Sequence, residues 1–374
     1  MKSVQLTAPT GSLFGGDTSD EIYFITAGFL NRGIQNVEPI SNPRICPPQK
    51  DYYRVSNPQE GGGALAAQQI GLWYGKLNPN DTLYLTVVVA EQDNKQLKAI
   101  EDAVSGALNV VGGILAGDPP DKVLQIALQL ASKLFDDLTQ NSGDKILASF
   151  VVSIKNDGKD QPQVQWTLAS PQFMNLQTPS NALTAQMTVA GHAAYPLAQY
   201  SLNASVARAI SFRSKRSGKN IDVPWNSLDD SVRLQQFTAK PHTNDDSNQR
   251  WILWPQSIKL DEDKYCPWYQ IINENSLKCF DVANGSTDNH AAINQYTPKQ
   301  AKDQNFTFDP NRHDSFADWD NQLWGYDWHT FIINNKRCKV VDLPIYNPDI
   351  SNQDGLQLQQ YDENHGDNQQ WQME

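Results

Sequence analysis

The feature that most constrains how this chain folds is an internal repeat in its C-terminal part. Three stretches share one order of residue types: "KNIDVPWNSLDDSVRLQQF" at 219–237, "KCFDVANGSTDNHAAINQY" at 278–296 and "KVVDLPIYNPDISNQDGLQLQQY" at 339–361. In each, an aspartate follows an apolar pair or its near equivalent, and the three, Asp222, Asp281 and Asp342, stand 59 and 61 residues apart. Each is followed by an amide side chain two places before an aromatic: Gln235 with Phe237, Asn294 with Tyr296, and Gln359 with Tyr361. Self-similarity at a fixed period means one supersecondary unit used several times, no copy of which buries its apolar face alone.

Each copy then closes on Gln-x-aromatic. The first ends with Asn248, Gln249 and Trp251, the third with Asn368, Gln369 and Trp371, and in both the closing tryptophan lies 29 residues after the aspartate. Two endings compete for the second copy: Asp303, Gln304 and Phe306, reaching 25 residues past Asp281, and Asn321, Gln322 and Trp324, reaching 43. Spacing favours Gln304, and "SFADWDNQLWGYDW" then reads as an aromatic insertion between repeats.

On these residues the segment 205–374 resembles the ricin B-type lectins, whose Gln-x-Trp repeats build a β-trefoil with up to three sugar sites about a pseudo-threefold axis. The resemblance implies a multivalent lectin, with galactose-type specificity common among its look-alikes. The chemistry fits the residue types. A carboxylate accepts from adjacent sugar hydroxyls, and such charge-assisted bonds are worth about 1.5–3 kcal/mol. Asp222, Asp281 and Asp342 are assigned that role. The apolar C–H face of a sugar lies flat on an aromatic ring, here Phe237, Tyr296 and Tyr361. Amides donate and accept at once, so Gln235, Asn294 and Gln359, with Asn248, Gln249, Gln304, Asn368 and Gln369, can orient a hydroxyl and brace the carboxylate. The closing Trp251, Phe306 and Trp371 are assigned to the core.

Length and a hydrophobic content of 39% over 374 residues suit two folded domains, 1–203 and 205–374. The net charge of −12 opposes nucleic acid or anionic lipid as partners, whereas neutral glycans are unaffected by it. The N-terminus has no continuous apolar core of signal-peptide length and no apolar run spans a membrane, so cytoplasmic synthesis is expected, with release to act on external cell surfaces. Cys46, Cys266, Cys279 and Cys338 form neither a metal-binding spacing nor a disulfide framework, and Cys279 and Cys338, beside the aspartates, read as buried thiols. No metal and no cofactor is expected. Catalytic signatures are absent, and a Cys46 with His192 pairing is ordinary coincidence, so the chain is read as a binding protein and not an enzyme.

The N-terminal part carries the β-type runs "EIYFITAGF", "DTLYLTVVVAEQD", "ILASFVVSI" and "QVQWTL" between turn-forming segments, which points to an antiparallel sandwich. Between the second and third runs, Leu97, Ile100, Val104, Leu108, Val111 and Leu115, then Val123, Ile126, Leu130, Leu134 and Leu138, recur at helical spacing. An αα-hairpin over about 95–139 is therefore expected, broken at "GDPPD", with Asp118 or Asp121 capping its second helix. The whole chain is thus expected to be mainly β, a β-sandwich-like module with an inserted helical hairpin followed by a β-trefoil. A second reading makes the hairpin a membrane-active arm of a lectin-targeted toxin; its charged margins and short apolar stretches favour packing on the sheet instead. In a third, the N-terminal module only makes homo-oligomers. Membrane contact is otherwise expected only through glycans.

Overall fold

The computed structural model describes residues 3–6, 19–32, 37–39, 44–46, 53–56, 77–91, 102, 106, 120–141, 145–156, 158, 163–168, 184–190 and 199–205 of the N-terminal part, and residues 73–75, 209–241, 246–261, 264–299, 320–326, 331–334, 339–344 and 352–374 besides. The chain forms two compact units, one of Met1–Leu72 with Leu77–Val206, the other of Trp73–Lys76 with Ala207–Glu374.

In the first unit the four β-type runs become neighbouring strands of one antiparallel sheet. Its order is Val37–Pro39, Ser19–Asn31, Thr82–Glu91, Lys145–Lys155 and Gln163–Leu168, with Arg44–Cys46 and Tyr53–Ser56 also pairing to Ser19–Asn31. Gly28 pairs with Leu85, and a Cβ there would stand 2.0 Å from the Tyr84 carbonyl oxygen, so only glycine fits. Ser3–Leu6, Gln199–Ser205 and Thr184–Ala190 make a separate three-stranded antiparallel sheet.

The helix Pro120–Asn141 lies against one face of the large sheet. Its Val123, Ile126, Leu130, Leu134 and Leu138, at the spacing read from the sequence, bury against Ile25, Phe29, Val88 and Val151. Small Ala127 and Ala131 let it approach closely enough for the Thr86 hydroxyl to donate to the Ala127 carbonyl at 3.5 Å and the Ser149 hydroxyl to that of Ala131 at 2.9 Å. This is the packing on the sheet expected of the hairpin's second helix: an apolar helical stripe and two strand hydroxyls together satisfy that face. The first helix of the expected hairpin lies outside the described residues apart from Asp102 and Gly106, both helical. Pro120 begins the helix, where its missing N–H and fixed φ suit the first turn, and Asp121, expected as a cap, lies inside that turn. Among the described residues no helix is long and apolar enough to cross a membrane, and no His, Cys, Asp and Glu cluster could hold a metal. His192 lies outside them.

The second unit is a closed ring of three four-stranded repeats. The last strand of each repeat pairs antiparallel with the first of the next: Trp251–Asp261 with Lys264–Asn273, Trp324–Tyr326 with Phe331–Asn334, and Trp371–Met373 back to Phe212–Ser214. The inner hairpins knit the same cycle, since Val232 pairs with Gln295, Ala292 with Gln359 and Gln357 with Gln235. Four sets, each with one residue from every repeat, fill the core: Ile221, Phe280 and Val341; Val223, Val282 and Leu343; Leu234, Ile293 and Leu358; Trp251, Trp324 and Trp371. The Phe280 ring stands edge-on to Trp251 at 4.6 Å and to Trp324 at 5.9 Å between centroids.

Polar contacts join successive repeats in the same rotation. Lys219 reaches Asp354, Lys278 reaches Asp230, and Thr238 and Thr297 cap the same carboxylates. At the third junction the types trade places: Lys339 bonds Asp362, where the others have threonine, and Asn289, where the others have aspartate. Cys279 is a free, buried thiol, its pKa pushed well up first by burial and then by neighbouring Asp281.

Candidate functional site

In each repeat the aspartate sits at or beside the end of a strand between two core residues: Ile221 and Val223, Phe280 and Val282, Val341 and Leu343. Alternation along the strand sends those neighbours inward and turns the carboxylate to the opposite face. Each aspartate is nonetheless deeply set, 2% exposed at Asp222, 5% at Asp281 and 3% at Asp342. The amide partner arrives on the paired strand, because Asp222 stands across from Gln235, Asp281 from Asn294 and Asp342 from Gln359. The closing Asn and Gln arrive on a single 3-10 turn just before the core tryptophan, whose indole N–H donates to the carbonyl preceding the aspartate: Ile221 at 3.2 Å, Phe280 at 3.3 Å and Val341 at 3.2 Å.

At the first site Gln235 Nε2 donates to Asp222 Oδ1 at 2.8 Å, while Asn248 Nδ2 and Gln249 Nε2 donate to Oδ2 at 2.7 and 3.0 Å. The third site repeats this. Gln359 donates to one oxygen of Asp342 at 2.7 Å, and Asn368 and Gln369 to the other at 2.7 and 2.9 Å. At the second, Asn321 and Gln322 donate to Asp281 Oδ2 at 2.8 and 2.9 Å, and Asn294, one methylene shorter than glutamine, makes no bond to Asp281 across its strand pair. The closing glutamines are themselves oriented by backbone N–H groups, from Lys240 to Gln249, Lys299 to Gln322 and Asn364 to Gln369.

The sites differ in the cation beside them. Lys240 Nζ bonds Asn248 at 2.7 Å and Lys299 Nζ bonds Asn321 at 3.1 Å, but the third site has Asn364 at that position. There His290, a residue of the second repeat, places Nδ1 3.2 Å from Gln359 Oε1 and packs edge-on to Tyr361. Gln359 already gives its N–H to Asp342, so its oxygen accepts and the histidine Nδ1 donates. Burial raises all three carboxyls above the ordinary aspartate value; the amide bonds pull back against it, with help from Lys240, Lys299 and His290.

Gln304 is corrected by this geometry. It and Phe306 lie outside the described residues, and the places beside Asp281 are filled by Asn321 and Gln322, with Trp324 in the core where Phe306 was expected. The signal was present: "DNQLW" matches the third copy's "DNQQW" at four of five letters, closer than "DQNF" does. The lysines, in "TAK" at 238–240 and "TPK" at 297–299, were equally visible as a repeat. The aromatic partners lie on the same strand face as the amides, with Phe237 and Tyr361 half-buried and Tyr296 36% exposed.

Beyond the first aspartate runs the turn Pro224–Asn226, in which Trp225 (φ 52°) and Asn226 (φ 55°) both take left-handed backbone conformations, at roughly 1–2 kcal/mol each for ordinary residues and less for asparagine. The second repeat meets the same demand with Asn284 and Gly285, both at φ 58°.

Residues 197–296 and 247–317 match a family model described as ricin-type beta-trefoil lectin domain-like. No curated protein matches the chain. Among solved structures, a designed threefold-symmetric protein, ThreeFoil, is 25% identical over 44% of this chain and 96% of its own, with a TM-score of 0.32. The C-half of an earthworm R-type lectin, in complex with GalNAc, is 15% identical over 45% and 98%, with a TM-score of 0.29. The Rhizoctonia solani agglutinin is 15% identical over 46% and 96%, with a TM-score of 0.30.

Proposed function

We propose that the C-terminal unit, a carbohydrate-binding β-trefoil of the ricin B type, holds glycans at three sites centred on Asp222, Asp281 and Asp342. The observation that carries this reading is the threefold recurrence of a deeply set carboxylate tied to amide side chains. Each carboxyl bears the desolvation that raises its pKa while facing away from the core, a cost that a binding role explains. Held by its amides before any ligand arrives, each carboxylate keeps acceptor capacity for a sugar hydroxyl. Phe237, Tyr296 and Tyr361 supply the apolar faces. Galactose-type sugars are the first class to test.

The reading is one of binding, not bond cleavage.

The test is calorimetric titration of the full chain with galactose, N-acetylgalactosamine, glucose and mannose, and with oligosaccharides ending in each. Asp222→Asn, Asp281→Asn and Asp342→Asn should each remove one site, a loss of about tenfold or more there, and the triple variant should not bind. Because these groups are buried, melting curves accompany every titration. Tyr296→Ala, at an exposed ring, should weaken the second site with the melting point unchanged. Undiminished binding by a folded triple variant would overturn the proposal.

A further inference from the structure

Trp225 combines two properties that the fold does not explain. It is 96% exposed, so it contributes nothing to the core, and its backbone is left-handed at φ 52° and ψ 26°, a conformation that disfavours a large side chain. The turn itself demands the conformation, as the second repeat shows, but there Asn284 and Gly285 meet it cheaply. A tryptophan at this position therefore carries a conformational cost with no return inside the chain. Strain of this kind, held in place by surrounding structure, marks a contact with something outside it.

The surroundings say where that contact lies. Trp225 follows Asp222 by three residues, and its turn is fastened to groups of the first site. Val223 N–H donates to the Asn248 carbonyl at 3.0 Å, and Lys240 Nζ, which holds Asn248, also reaches Asn226 Oδ1 at 3.4 Å. On its far side Asn275 Nδ2 donates to the Asn226 carbonyl at 3.1 Å, and Gln295 Nε2 to that of Ser227 at 3.0 Å. The indole thus projects from a pinned turn at the edge of the first site, with Leu228, 60% exposed, next along the same loop.

We propose that Trp225 forms a second subsite at the first site, a platform for the C–H face of the pyranose linked to the sugar held at Asp222. This rests on the glycan-binding reading of that aspartate and deepens it: the first site takes an oligosaccharide, and the second, with Asn284 in place of the indole, takes its terminal sugar alone. A neutral, ring-shaped ligand suits the position, because an indole offers area and a polarised face but no charge.

The experiment uses the full chain carrying Asp281→Asn and Asp342→Asn, so that only the first site reports, and titrates it with galactose, N-acetylgalactosamine, glucose and mannose and with the disaccharides and trisaccharides ending in each. Trp225→Asn is the informative variant, since asparagine occupies the equivalent turn of the second repeat and relieves the strain; its melting point should hold or rise. The expected result is a loss of about tenfold in affinity for the oligosaccharide, with affinity for its terminal monosaccharide unchanged. Equal oligosaccharide affinity before and after Trp225→Asn overturns the subsite while leaving the Asp222 site standing. Equal losses for both ligands overturn it too, placing the indole on the first sugar. Absence of any sugar binding to the wild-type chain sinks the underlying reading, and the subsite with it.

Discussion

The second site and its two counterparts are made from the same strands in the same register, yet they leave their carboxylates in different states. Asp222 and Asp342 each take three amide bonds shared between both oxygens, whereas Asp281 takes two on one oxygen, and neither Asn294 nor any other described side chain is bonded to its Oδ1. A carboxylate offers about four acceptor positions, so the first and third sites keep one for a ligand and the second keeps two. What the difference teaches is that one methylene can trade preorganisation for acceptor capacity. The first and third aspartates are held more firmly; the second is more open.

The largest test of that equivalence concerns the core behind it. Trp324 should prove as important as Trp371, each losing about 3–5 kcal/mol on replacement by alanine, read from denaturant melts of the two variants. If Trp324→Ala melts with the wild type, the second repeat does not close where its hydrogen bonds place it. Next come the amides. Gln322→Ala should cost about 1–3 kcal/mol by stripping a donor from a buried carboxylate and should abolish binding at the second site, whereas Gln304→Ala should leave glycan titrations unchanged. A third experiment converts one kind of site into the other. Asn294→Gln should add the missing bond to Asp281 and stabilise the fold by about 1 kcal/mol, while Gln235→Asn and Gln359→Asn lose a similar amount; equal melting points for all three would remove the significance of the methylene.

The smallest expected effect is on pH dependence. Each aspartate has its folded pKa raised, chiefly by burial. It therefore takes up its proton earlier as pH falls, and with the carboxylate in its proposed role as acceptor for a sugar hydroxyl, glycan affinity should weaken on acidification while the pH is still above the ordinary aspartate range. Stability runs the other way. The folded state favours the protonated form, so this contribution is fully present below the unfolded aspartate pKa and is lost as pH rises through the raised one. Affinity and melting temperature followed together should move in opposite directions; affinity constant down to the ordinary aspartate range would contradict the burial argument.

Much of the trefoil was legible because its information is local. An aspartate between two apolar residues on a strand faces away from the core by alternation alone, and a period near sixty residues places three of them equivalently. The N-terminal strands were legible for the same reason, and so was the stripe of Pro120–Asn141. That the Thr86 and Ser149 hydroxyls meet the helix backbone at Ala127 and Ala131 was not, since a strand pattern does not record which helical turn a side chain reaches.

By itself, then, the sequence determined the threefold repeat, its three aspartates, the paired amides and two of the three closing tryptophans. Tertiary structure decided the rest. Linear spacing favoured Gln304, but lengthening a loop adds only slowly to the entropy of closing it, so an insertion can move Asn321, Gln322 and Trp324 far along the chain and still return them to Asp281 and the core. That Asn294 falls short, that His290 crosses from the second repeat to the third site, and that Trp225 stands exposed on a left-handed turn are facts of distance and dihedral angle. A one-dimensional pattern records which residues recur; only the folded chain sets how far each side chain reaches.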